Sequence, residues 1–227
     1  MIEKISRIGF EKTVSLIASG KAGVVLCCTL NELMMADKDK QVRAAMDRAD
    51  ILTPDGMPLV WYLKWQYGKG ERVYGPDIMM NFLAKKEKKF LFIGDFKNRN
   101  YFSKKGNYLV LPFKDNFTEN DYQKIAKKIN KLKINIVWVG LGARKQVLMA
   151  DGLKRNGVNG SIVTVGAAFD FLSGQMIQAP RWIRNLGLEW CFRLICEPKR
   201  LGSRYTAIIY FVIGSFVRRR LGFGVQK

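Results

Sequence analysis

The residues with chemical potential sit in a few short segments. Thr53-Pro54-Asp55-Gly56 places a carboxylate on a tight turn. Asp55 there can take a proton as a general base, or it can cap the helix that begins near Met57. The local sequence leaves both readings open. Thr29-Leu30-Asn31 offers a hydroxyl and an amide. Gly140-Leu141-Gly142-Ala143-Arg144-Lys145-Gln146 is a glycine turn opening a helix. It can present backbone N–H groups to a phosphate, or be a plain strand-to-helix turn. Gly166-Ala167-Ala168-Phe169-Asp170 adds small residues and another acid. A dinucleotide fingerprint is absent, because Lys145 replaces the third glycine and no acid follows about 20 residues on. Asp37-Lys38-Asp39 has the spacing of a metal-holding carboxylate pair. One pair without further oxygen ligands makes a poor Mg²⁺ site, so no metal is expected.

The chain has 227 residues, with 39 Lys+Arg, 19 Asp+Glu and no histidine, a net charge of +20. Without histidine there is no Ser-His-Asp triad, no Cys-His dyad and no histidine metal site, so a base must be a carboxylate, Lys, Tyr or Cys. Apolar residues make up 48% of the chain, which suffices for a core and excludes a disordered basic tail. The charge has two parts. Residues 84–133 hold 14 basic and 5 acidic residues, mostly Lys, as on a solvated helix face. Residues 171–227 hold 10 basic and 2 acidic residues, mostly Arg among aromatics, a composition suited to anionic phosphate of a lipid headgroup or a nucleotide. The charge alone would permit nucleic-acid binding, but no RNP, KH or helix-turn-helix pattern accompanies it.

Six β-branched runs must position these segments: 23–30, 51–53, 90–93, 108–111, 134–139 and 161–165. Helical patterns follow at 32–48, 57–67, 77–88, 119–131 and 145–155. Alternating strand and helix predicts an α/β domain, a mostly parallel sheet flanked by helices. Ligands bind outside the carboxyl ends of such strands, where the reactive segments fall. Beyond about residue 175 the pattern turns helical. The chain therefore divides into a core at 1–174 and a C-terminal appendage at 175–227. There Trp182, Leu186, Trp190 and Leu194 recur every four residues as an apolar stripe that would include Arg193. Such an arginine meets either a phosphate or an acid such as Glu189 or Glu197, and Arg200 and Arg204 follow one and two turns past Pro198. The apolar run at 206–217 is too short to span a bilayer. Cys27, Cys28, Cys191 and Cys196 read as buried reduced thiols, and residues 1–12 lack the apolar stretch of a secretory signal.

Five ordered motifs together resemble one family. They are ADILTPDGMPLVW (49–61), ERVYGPDIM (71–79), VGLGARKQ (139–146), VGAAFDFLSG (165–174), and the AP-RW, LEW and EPKRL pattern of 179–205. They are similar to the WecG/TagA/CpsF glycosyltransferases, glycosyltransferase family 26. The resemblance implies a Rossmann-like core with a membrane-associating helical appendage that helps close the site. It implies inverting, metal-independent transfer from a UDP-sugar, without a cofactor, to an undecaprenyl-diphosphate-linked acceptor. The setting would be the cytoplasmic face of a bacterial membrane, in teichoic acid, common antigen or exopolysaccharide synthesis. A homo-oligomer is compatible with it; a nucleic-acid partner is not expected. By motif, Asp55 matches the base, and Thr29 and Asn31 match sugar-pocket residues. Arg72 and Gln146, with Gly142 of the glycine turn, match donor contacts. Arg193, Arg200 and Arg204 match appendage arginines expected on the diphosphate. Arg144, Val147 and Gln178 depart from the family pattern, with consequences expected for donor choice or acceptor contacts.

Overall fold

The computed structural model describes Ile5 and residues 8–85, 89–111 and 116–220. Six short apolar runs form one all-parallel sheet: β1 (Val24–Cys28), β2 (Ile51–Pro54), β3 (Phe90–Gly94), β4 (Asn107–Val110), β5 (Ile136–Gly140) and β6 (Ser161–Thr164). The strand order is β2-β1-β6-β5-β3-β4. All but β4, at the edge, are almost wholly buried, as strands covered on both faces must be. Register aligns their ends. Cys28 pairs with Pro54, Leu26 with Thr164, Val139 with Thr164, and Gly94 with Gly140. The segments that follow therefore emerge at one level, along one edge.

Side chains alternate along the strands between two cores. Val24, Leu26 and Cys28 face one; Val25 and Cys27 face the other, so the adjacent cysteines part as expected. The first core is covered by α2 (Leu30–Lys38), α3 (Lys40–Arg48), α4 (Met57–Tyr67), α7 (Glu119–Lys131) and α8 (Ala143–Arg155). The second lies under α1 (Phe10–Ala18), α5 (Gly75–Leu83), α6 (Arg99–Phe102) and α9 (Ala168–Leu172). The Rossmann-like three-layer fold expected from the sequence is thus present. Three helices complete it: α10 (Arg181–Asn185), α11 (Glu189–Cys196) and α12 (Pro198–Arg220). Leu201 and Ile208 anchor α12, and its Phe211 ring lies 6.3 Å from Tyr62 of α4.

Several expectations need correction. The single helix read at 32–48 is two helices broken at Asp39, whose carboxylate accepts from the N–H groups of Gln41 and Val42 and caps α3. The helix read at 77–88 is described as Gly75–Leu83, and residues 86–88 lie outside the described residues. The apolar stripe 182–194 does not exist as one helix face. Gly187 adopts φ +76° and separates α10 from α11, leaving Trp182 and Leu186 exposed. All four cysteines are free. Cys27 and Cys28 are buried, but Cys191 is half-buried and Cys196 exposed. The run at 206–217 lies within α12, and among the described residues no helix is long and apolar enough to cross a membrane.

Candidate active site

One cavity of about 350 Å³ opens over the carboxyl ends of β1, β2, β5 and β6 and is walled on its far side by α11 and α12. Its volume falls in the range of small-molecule sites. All nine residues expected from the sequence line it: Thr29, Asn31, Asp55, Arg72, Gly142, Gln146, Arg193, Arg200 and Arg204.

Asp55 follows β2, and its backbone N–H donates to the Cys28 carbonyl at 2.8 Å, which fixes the turn against β1. It does not cap α4. Gly56 occupies that N-cap, and no side chain bonds to the cap. The carboxylate is therefore left to the cavity. A Cβ added to Gly75 would lie only 3.4 Å from Asp55 Oδ2, so the glycine lets backbone approach the carboxylate. Burial pushes the Asp55 pKa up to about 7. Arg72 and the Gly75 N–H oppose that rise, while Glu189 and Glu32 reinforce it.

Thr29 caps α2. Its hydroxyl accepts from the Asn31 N–H at 3.2 Å and donates to Glu32 at 2.6 Å, while Glu32 also accepts from the Thr29 N–H at 2.9 Å. This capping box sets Asn31 at the cavity wall and buries Glu32 beside it. Gly142 is the N-cap of α8, again without a side-chain cap, so that helix start presents backbone N–H groups. Gln146, one turn on, is 2% exposed and accepts from the Gly166 N–H at 3.1 Å, tying the turn after β5 to that after β6.

The arginines divide into two kinds. Arg72 is already engaged: Nε donates to the Asp55 carbonyl at 2.8 Å and Nη2 to Glu189 at 2.6 Å, with the guanidinium 4.0 Å over the Tyr74 ring. It organises the wall more than it offers charge. Arg193 lies 5.4 Å over Phe171, and its buried Nε has no hydrogen-bond partner among the described residues. The Trp190 indole N–H beside it is likewise buried without a partner. Arg200 and Arg204 are exposed at the rim, and Arg200 pairs with Glu197. The acid alternative for the appendage arginines thus holds for Arg200. Glu189 instead takes Arg72 of the core.

Glu32, Tyr74, Lys97, Glu189 and Trp190 also line the cavity without having been assigned to it from sequence. Glu32 was readable, since Thr29-x-x-Glu32 is a capping-box pattern. The others depend on tertiary placement. Of the departures, Arg144 is held outside the cavity lining by Asp39 at 2.7 Å, Asn116 at 2.9 Å and Gln41 at 3.1 Å. Val147 is core, and Gln178 donates to the Tyr74 hydroxyl at 3.1 Å. The first two therefore do not face the pocket. Asp39 spends its carboxylate on the α3 cap and Arg144. Among the described residues no group of three or more His, Cys, Asp or Glu could hold a metal ion.

A carboxylate titrating near neutrality shares this cavity with arginines at the carboxyl ends of a parallel sheet, where ligands of such folds bind. The sequence settles what kind of protein this is. The chain belongs to the glycosyl transferase WecG/TagA/CpsF family, whose model matches residues 2–224. It is a glycosyltransferase, with a sugar donor and an acceptor as substrates.

Proposed function

We propose that the protein transfers a hexose, of the N-acetylmannosamine type or a related one, from a UDP-sugar to an undecaprenyl-diphosphate-linked acceptor, with inversion and without a metal. The observation that carries this is the placement of Asp55 and Arg193 in one cavity, the acid raised toward neutrality and the guanidinium with an uncommitted donor. Asp55 takes the proton of the acceptor hydroxyl as that oxygen bonds to the anomeric carbon. The bond from that carbon to the diphosphate oxygen breaks in the same displacement, and UDP carries away the electron pair. A single displacement needs no nucleophilic carboxylate. Arg193, Arg200 and Arg204 offset the charge growing on UDP, aided by N–H groups at the start of α8. Thr29 and Asn31 hold the sugar, and Gln146 with Gly142 holds the donor turn.

Residues 1–174 act as the catalytic core, and 175–227 as an appendage that closes the cleft and meets the membrane at its inner face. Ile195 is 79% and Tyr210 71% exposed, with Ile209 and Ile213 beside the latter. Apolar side chains presented with arginines suit an anionic lipid surface. A donor screen against a short-chain lipid-diphosphate-sugar acceptor, read by mass spectrometry with and without EDTA, tests the assignment. Turnover with a UDP-sugar in EDTA is the expected result. Turnover that needs a divalent ion, or no UDP-sugar use at all, rejects it. Asp55→Asn should keep UDP binding and lose about 10³-fold in turnover.

A further inference from the structure

Glu189 is a charged group that the proposed chemistry does not use. It is 6% exposed and is the only fully buried residue of α11; α10 buries none. Helices that dock on a core normally do so through an apolar face. Here Trp182, Leu186 and Ile195 of this region are exposed instead. What α11 inserts into the core is a carboxylate.

Its two oxygens go to different partners. Oε2 accepts from Arg72 Nη2 at 2.6 Å, and Oε1 accepts from the Tyr74 hydroxyl at 2.6 Å. Gln178 Nε2 completes the Tyr74 hydroxyl at 3.1 Å, and Arg72 stacks on the Tyr74 ring. Arg72 Nε, on the same edge of the guanidinium, donates to the Asp55 carbonyl at 2.8 Å. A continuous chain of bonds thus runs from α11 through Glu189 and Arg72 to the backbone of the acid turn. Arg193 lies one helical turn after Glu189 on the same face of α11, so the group that fixes this helix also aims that arginine.

We propose that Glu189 is a positioning residue that makes docking of α11 and assembly of the Asp55 turn a single event. Undocked, Arg72 would face Asp55 without its counter-charge, and Arg193 would lose its place over the cavity. Docked, Glu189 takes up the Arg72 charge, and the acid and the arginine are set together. The enzyme would then hold a competent base only while the cleft is closed, when water is kept from the donor. This rests on Asp55 being the base proposed above.

The test compares wild type with Glu189→Gln and Glu189→Asp, using folded full-length protein. The charged or titratable groups acting on Asp55 are Arg72, Glu189 and Glu32, with Cys27 and Tyr74 also adjoining the carboxylate. Removing the Glu189 charge leaves Arg72 dominant, so the acid limb of the kcat profile should move about one pH unit lower. UDP affinity by calorimetry should fall about tenfold, because Arg193 is no longer held. Glu189→Asp keeps the charge but shortens the reach, and should shift both readouts in the same direction by less. An unmoved acid limb with unchanged UDP affinity in either folded variant overturns the inference. If Glu189→Gln does not fold, Glu189→Asp alone decides on the same criterion. Turnover surviving in Asp55→Asn would remove the base reading, and the calorimetric arm would still judge the placement of Arg193 by Glu189.

Discussion

Arg193 lies over Phe171, its guanidinium carbon 5.4 Å from the ring centroid, and among the described residues its Nη2 reaches the Met176 sulfur at 3.8 Å while its Nε has no partner. The charge is held in place by stacking and leaves most of its donors unused. Arg193→Ala should therefore weaken UDP binding by roughly 10–100-fold, the worth of one or two charge-assisted bonds. Thermal stability should change little. Calorimetry with UDP and a melting curve check the two halves.

The Asp55 pKa of about 7 makes activity depend on pH with a definite sign. The base must be ionised, so kcat/KM should fall about tenfold per unit below pH 7 and level off above it. A profile flat down to pH 5 would contradict the assignment.

The same shift bears on stability. In the unfolded chain Asp55 titrates near its ordinary 3.8, and in the folded chain near 7. The folded state holds that proton more tightly, so the contribution of this group is full below about pH 4 and is lost as pH rises to 7. Asp55→Asn escapes that loss. It should be more stable than wild type at pH 8 by on the order of 1–3 kcal/mol, and nearly equal to it at pH 4. Urea midpoints at the two pH values measure this.

Two glycines of one turn should behave differently. A Cβ on Gly140 would lie 2.2 Å from the Phe169 ring, whereas one on Gly142 meets nothing within 4 Å. Gly140→Ala should cost about 1–3 kcal/mol of stability through overpacking, and Gly142→Ala well under that. Equal losses in denaturant midpoint would refute the packing account.

Tyr210 and Ile213 on α12 are 71% and 53% exposed. Replacing both by Asp should lower partitioning onto anionic vesicles in a flotation assay while leaving the melting temperature within a few degrees. Unaltered partitioning would remove α12 from the membrane account.

Much of this was legible in the sequence. The β-branched runs and the helices between them gave the sheet, and the segments that follow the strands fell where the cavity lies. All nine assigned residues line it: parallel register brings Thr29, Asn31, Asp55, Gly142 and Gln146 to one edge, Arg72 lies between α4 and α5, and α11 and α12 bring Arg193, Arg200 and Arg204 over it. What failed turned on single residues with tertiary commitments. Asp39 breaks a helix that periodicity made continuous, and Arg144, which secures it at 2.7 Å, lies far along the chain. Gly187 breaks the appendage stripe by adopting φ +76°, at a point where a Cβ would lie 3.0 Å from Met57 and from Trp61. Glu189 was readable as an acid near arginines, but its partner is in the core. No local pattern connects it to Arg72.

The cavity is enclosed by both the earliest and the latest parts of the fold. Cys27 comes from β1 and Thr29 from the cap that follows it, while Arg204, Tyr205 and Ile208 come from α12. During synthesis the acid turn and the sheet are made well before the wall that carries the arginines. A growing chain thus carries the proposed base before the arginines proposed to meet the leaving diphosphate. On the proposed mechanism, the capacity for transfer requires a chain extended through α12.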